Sequence, residues 1–437
     1  MFLIKRFILF SLMSLMLYSC GYAKLAVGKI QARLHPTPEN LRSSSPEKSL
    51  LVTGKVVGNI GKGVPLAVVA VTYWEKTGSI MSHAFLSAPG PYYLFLPEGN
   101  YQILVFADIN GDSLIEKNEL ISCCGDSCSL SVERKKAVKG IIKAEDISVN
   151  PDRARSSDVP VSLEVPTIKG ARLSGHIASG IITTLDDERF DEENGYLGLY
   201  QPVAYFERVN GFFYMLEEYD REKIPVIFVH GIEGSPKDWR SIVEGLDRKH
   251  FQPWFFYYPS GLRLETVAEI FNETFLSTGS QRIDSMIIAA YSQGGLIVRE
   301  AMNICNSGKK QENIPQLYIS FSTPYGGVDV AASAVAHSPV VVPSWIDLAS
   351  DSVFIIALYR NELPQGTKFD LFFAYGSSHF FKFGQNDDGT ITLKSQLNPK
   401  AQKEATQIRG FNETHSEILT NREVDDEFNS ILAGARF

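Results

Sequence analysis

Residues 284–304 read "DSMIIAAYSQGGLIVREAMNI", and the pattern changes in the middle of the stretch. Up to Ala290 the run is apolar without alternation and short, as in a strand buried on both faces. From Gly294 onward the apolar residues fall at helical spacing. Between the two halves stands Ser292, flanked at two residues' distance by Ala290 and Gly294. A serine held in a tight strand-to-helix turn needs small residues at those two positions, because the strand end and the helix start close on each other around it. Ser292 is therefore the candidate nucleophile. The triplet S-x-G is common by chance, so the strand before it and the helix after it carry the reading.

The same alternation extends on both sides. "IPVIFVHG" is a strand, "DWRSIVEGL" a helix, "QPWFFYYPSG" a strand ending in a turn, and "LETVAEIFNETFL" a helix. After the nucleophile stretch come "QLYISFSTPYGG", an inserted region, "FDLFFAYG" and "DGTITLKSQL". Alternating strand and helix patterns predict an α/β domain, a mostly parallel sheet with helices on both faces, over residues 223–437.

A serine hydroxyl attacks only when a base takes its proton, and the base needs an acid to hold its tautomer. In this kind of fold the chain order is serine, acid, histidine. After Ser292 come His337, in the inserted region, His379, and His415, which lies in "GFNETHSEIL" near the C-terminus. Position selects His415 as base. The acid is expected in a turn after a late strand, which "FGQNDDGTITLKSQL" supplies. Asp388, directly before Gly389, is preferred to Asp387, whose side chain is expected to face solvent or cap the turn. The developing oxyanion needs backbone N–H donors. Gln293, after the nucleophile, supplies one, and Ile232, in "VHGIEGSP", the other. His230 in that loop is read as an orienting hydrogen-bonder rather than a second base.

Taken in order, "VHGIEGSP", "AYSQGGL", "FSTPYGG", "DDGTITLKSQL" and His415 resemble the α/β-hydrolases of the lipase and esterase type. The resemblance implies an α/β-hydrolase domain with Ser292, Asp388 and His415 as its triad, and Ile232 and Gln293 as oxyanion donors. Two positions depart from the family pattern: Ala290 stands for the usual glycine, and Tyr291 where many relatives carry histidine. The implied activity is hydrolysis of carboxylic esters, with lipidic acyl esters as substrates, and it calls for no cofactor and no metal. An acyltransferase or amidase using the same triad, or a catalytically silent surface module, are the alternatives.

The rest of the chain frames that domain. Lys5 and Arg6 followed by an apolar run to Leu17 form a secretory signal over residues 1–19, too short to span a bilayer. The ending "LYSC" resembles a bacterial lipobox, which implies a lipidated Cys20 as first mature residue and an anchor in the cell envelope, with Gly21 fitting the outer membrane. Residues 20–49, rich in Pro and Ser, form a tether. Short β-branched and aromatic runs over 50–150 predict a small antiparallel β-sandwich resembling transthyretin-like or carboxypeptidase-regulatory-like modules. Residues 151–222 are read as a connecting segment.

With 42 basic against 50 acidic residues and no basic block, nucleic acid is not an expected partner. "DINGDSLIEKNE" spaces Asp108, Asn110, Asp112 and Glu119 like a calcium loop, but Ser113 stands where glycine is wanted, so a hairpin turn is the better reading. Cys123, Cys124 and Cys128 lack a fourth ligand for zinc, and a local disulfide of unspecified pairing fits an exported chain. Cys305 is expected as a buried free thiol. The insertion over residues 337–363 is either a mobile lid or a helix packed on the core.

Overall fold

The computed structural model describes residues 49–434 except 62–63, 75–76, 87, 126, 166–171, 175–179, 210–211, 278–282, 284, 308–312, 339–340 and 377–385. The signal segment, Cys20, almost all of the tether and His379 lie outside the described residues. Two compact units are present: one gathers the chain up to Thr167 with Tyr196–Asn210 and Ser333–Trp345, the other Ile168–Gly195, Gly211–Ala332 and Ile346–Phe437.

The first unit is all-β at its centre. Strands β1 (Ser49–Gly58), β4 (Pro91–Pro97), β9 (Ile141–Lys143) and β10 (Ile147–Val149) make one sheet. Strands β2 (Leu66–Trp74), β3 (Thr77–Leu86), β5 (Gly99–Ala107), β7 (Leu120–Cys123) and β8 (Ser129–Val132) make the other. Leu50, Val52, Leu94 and Leu96 from the first sheet share a core with Val68, Ala70, Ile103 and Val105 from the second. Strand β2 is apolar at every position to Val71 because its other face is covered too. Ala67, Val69 and Val71 pack with Val159, Val161 and Val165 in a second cluster.

The sheets differ from the expected antiparallel pattern in one respect: β9 and β10 both pair with β1 in parallel. In the hairpin at Asp108, that carboxylate accepts the N–H groups of Gly111 and Ser113, and Glu119 accepts those of Ile109 and Asn110. Ser113 takes φ +66°, the conformation for which glycine was wanted. No group of three or more His, Cys, Asp or Glu side chains among the described residues is placed to hold a metal ion. The local disulfide is Cys123–Cys128, while Cys124 and Cys305 are buried free thiols.

The second unit is built on a nine-stranded sheet. Its strands are β12 (Arg172–Leu173), β13 (Gly180–Ile182), β14 (Phe213–Met215), β15 (Ile224–Val229), β16 (Phe251–Phe256), β17 (Ile287–Tyr291), β18 (Leu317–Phe321), β19 (Lys368–Ala374) and β20 (Gln407–Phe411). Their order is β12-β13-β14-β16-β15-β17-β18-β19-β20. From β16 to β20 every pairing is parallel, and β14 runs antiparallel to β16. The sheet thus starts before Lys223, and three strands of the stretch read as a connection extend its edge. Their brevity, two or three residues each, left no periodicity to read.

The parallel strands are buried on both faces, as their unbroken apolar sequences require; Val226 to Val229 and Ile287 to Ala290 are all within the core. Pro225 is tolerated in this central strand because it precedes the first β15–β17 rung, Val226 with Ile287. Among the described residues no helix is long and apolar enough to cross a membrane.

Candidate active site

The candidate triad and oxyanion residues all follow the carboxyl ends of parallel strands. Strand β17 ends at Tyr291, Ser292 follows, and the helix Gln293–Ser307 starts at once. Ser292 has φ +52°, a left-handed conformation that a side chain adopts only under constraint. The constraint is visible: the Ser292 N–H donates to Phe321 O at the end of β18 (2.8 Å), and Gly295 N–H donates to Ser292 O (3.1 Å). Gly294 is required because a Cβ there would lie 2.5 Å from His230 O and 2.7 Å from Val229 O. Ala290 is fully enclosed, so the position two before the serine also demands a small side chain.

The loop after β20 brings His415 to this turn. Its Nε2 lies 3.0 Å from Ser292 Oγ, and its Nδ1 lies 2.6 Å from Asp388 Oδ2. With Nδ1–H donating to the carboxylate, Nε2 is left as the acceptor facing the serine hydroxyl. Backbone reinforces the pair, since His415 N–H donates to Asp388 O (2.8 Å).

Asp388 is wholly buried, and its charge is met by donors on both oxygens. Oδ1 accepts the N–H groups of Thr390 (2.9 Å) and Ile391 (2.6 Å), while Oδ2 accepts Gln396 Nε2 (3.0 Å) besides the imidazole. Asp387 turns the other way, its Oδ1 accepting the N–H of Gly389 and so capping the turn.

Gln396 gave no signal in the sequence. It is buried, and its amide bridges the acid turn to both backbone groups of Ala374 at the end of β19. That role arises only when the short helix Leu393–Gln396 folds back on the strand.

The loop after β15 packs directly behind the serine. A Cβ on Gly231 would lie 3.0 Å from Ser292 Cβ, and one on Gly195 would lie 2.1 Å from Glu233 O. Glu233 takes φ +55° and its N–H donates to Ser260 Oγ (3.0 Å). Ile232, between these fixed points, is partly exposed. Gln293 is the first residue of its helix, where N–H groups have no intrahelical acceptor.

His230 is enclosed with both ring nitrogens occupied, Nδ1 2.7 Å from Gly231 O and Nε2 accepting Tyr258 N–H at 3.1 Å. Burial, only partly opposed by these two bonds, lowers its pKa to about 3, so it stays neutral and orients the loop. His337 lies at the exposed end of the helix Asp329–His337, bonded to Ser333 O.

In the inserted region, the part from Ile346 onward is docked. Asp347, buried, accepts Arg263 through Nε and Nη2 and the N–H of Leu264. Further on, Asn303 Nδ2 donates to Leu358 O, Arg299 to Asn361 O, and Arg360 pairs with Glu300 at 2.5 Å. Leu348, Ile355 and Leu358 are buried.

Residues 220–361 match a family described as "Putative serine esterase (DUF676)". The chain has no match among the curated proteins. Among solved structures it is similar to a Bacillus licheniformis lipase in mature form, with 20% identity over 49% of this chain and 94% of that one and a TM-score of 0.35. It is also similar to the product of a Listeria innocua gene, with 12% identity, 49% and 95% coverage and a TM-score of 0.37. A third is an alpha/beta hydrolase enzyme from the metagenome of sediments from the lagoon of Mar Chica, Morocco, with 15% identity, 51% and 94% coverage and a TM-score of 0.35. Strand order and the strand-turn-helix at Ser292, rather than these likenesses, define the fold. By its strand order and the strand-turn-helix at Ser292 the second unit has an α/β-hydrolase fold, and residues 220–361 within it match a serine-esterase family.

Proposed function

We propose that the chain is an exported, lipid-anchored serine hydrolase of acyl esters, with Ser292 as nucleophile, His415 as general base and acid, and Asp388 as the orienting carboxylate. The observation that carries this reading is the continuous relay from Ser292 Oγ through His415 to Asp388, at 3.0 and 2.6 Å.

In the forward step Ser292 Oγ attacks the ester carbonyl as His415 Nε2 takes its proton. The imidazolium is stabilised by the Asp388 carboxylate, which its four donors keep aimed. The N–H groups of Ile232 and Gln293 receive the oxyanion. His415 then protonates the departing alkoxide, and a water activated by the same nitrogen releases the acid from Ser292.

The substrate preference for lipidic esters rests on the resemblance to lipases and on the anchor read at Cys20, which would hold the enzyme at a membrane surface. A series of p-nitrophenyl esters of increasing acyl length, with Ser292→Ala as control, tests the reading. Turnover that rises with chain length and vanishes in the variant is expected; turnover unchanged by Ser292→Ala contradicts it.

A further inference from the structure

The residue before the nucleophile reaches the base and the loop after β15. Tyr291 closes β17, and its O–H donates to the backbone carbonyl of His415 at 2.9 Å. Its ring also lies against the imidazole, with centroids 5.1 Å apart and planes tilted by 37°. On its other side the ring backs onto Gly231, where a Cβ would lie 3.1 Å from Tyr291 Cδ1 and 3.2 Å from Cε1. One side chain thus spans the loop after β15, the turn at Ser292 and the loop after β20.

This placement matters because the base sits on a loop. His415 belongs to neither β20, which ends at Phe411, nor the 3-10 turn Glu417–Leu419. Its side chain is held by the Asp388 carboxylate, its N–H by Asp388 O and its carbonyl by Tyr291. Asp388 thus fixes the residue to the acid turn, and Tyr291 ties it to the strand that carries Ser292, so loss of the tyrosine bond bears on the Nε2–Oγ distance. Burial raises the phenol's pKa above its ordinary value, with Asp238 and Asp388 adding to the effect, so the hydroxyl remains a donor at every working pH.

We propose that Tyr291 is a positioning residue that fixes the base loop through its hydroxyl and sets the face of the imidazole through its ring, with Gly231 kept bare to admit it. The inference rests on the esterase reading above.

Tyr291→Phe removes the hydroxyl and keeps the ring. Three readouts on the full chain test it: steady-state kinetics with a p-nitrophenyl ester, the rate of fluorophosphonate labelling at Ser292, and the low-field proton resonance of the His415–Asp388 bond. The variant is expected to lose about tenfold in kcat with KM unchanged, because misplacement of a catalytic group acts on the chemical step. Labelling should slow in the same proportion, and the low-field resonance should broaden through faster exchange, while Tm stays within a few degrees of wild type.

Unchanged kcat and an unchanged resonance overturn the proposal, as does a loss of rate that merely follows a loss of Tm. Wild-type protein that neither turns over esters nor labels overturns the esterase reading instead. The resonance would still report whether Tyr291 holds His415.

Discussion

At the scale of single residues, the adjacent acids Asp387 and Asp388 are separated by where their oxygens point. Asp388 reaches His415 and Gln396, whereas the Asp387 carboxylate accepts the N–H of Gly389 in its own turn. Asp388→Asn is expected to lower kcat on the order of 10⁴, as loss of a triad acid leaves the imidazole in the wrong tautomer. Asp387→Asn should cost less than threefold, within the range of a substituted turn cap. Steady-state kinetics of the two variants decide between them.

His230 gives a second residue-level test, through pH. Its pKa is about 3 in the folded protein, against 6.5 for a free side chain. Between those values the unfolded chain binds a proton that the native state does not, so this residue makes stability fall as pH drops below about 6.5. The slope approaches about 1.4 kcal/mol per pH unit. Denaturant unfolding of wild type and His230→Gln between pH 4.5 and 7.5 should show that slope as the difference between the two curves. Parallel curves would contradict it.

At the scale of elements, what could be read in the sequence was whatever produced a strong pattern. The strands through "IPVIFV" and "IIAAY" are unbroken apolar runs because both sheet faces are covered, and the turn at Ser292 was legible from Ala290 and Gly294. The edge strands β12 to β14 were not, being shorter than any period. Gln396 and Tyr291 were invisible as partners because their contacts join residues 22 and 124 positions apart.

The requirement at Gly294 is steric and firm: Gly294→Ala would press a methyl into two backbone carbonyls and should cost about 3 kcal/mol or more in unfolding free energy. In the docked part of the insertion, the ion pair is asymmetric, since Asp347 is 1% exposed and Arg263 44%. Arg263→Ala strands a buried carboxylate, whereas Asp347→Asn leaves a guanidinium that water can reach. The first should therefore cost more, by about 2 kcal/mol, and its deficit should shrink at low pH as Asp347 takes up a proton. Urea unfolding at pH 7 and pH 5 measures both.

At the scale of the whole molecule, the chain joins a β-sandwich unit and a unit with an α/β-hydrolase fold, and we propose a lipid anchor at Cys20. Cys20→Ser should abolish incorporation of labelled fatty acid and move the protein from the membrane to the soluble fraction; a variant that remains membrane-bound contradicts the anchor. In the proposed mechanism one serine among many does the chemistry. Intact-mass measurement of the folded full chain after exposure to a fluorophosphonate tests it most directly. A single adduct is expected, mapping to Ser292 and absent from Ser292→Ala. An adduct on another serine, or ester turnover by protein that takes up no adduct, would contradict it.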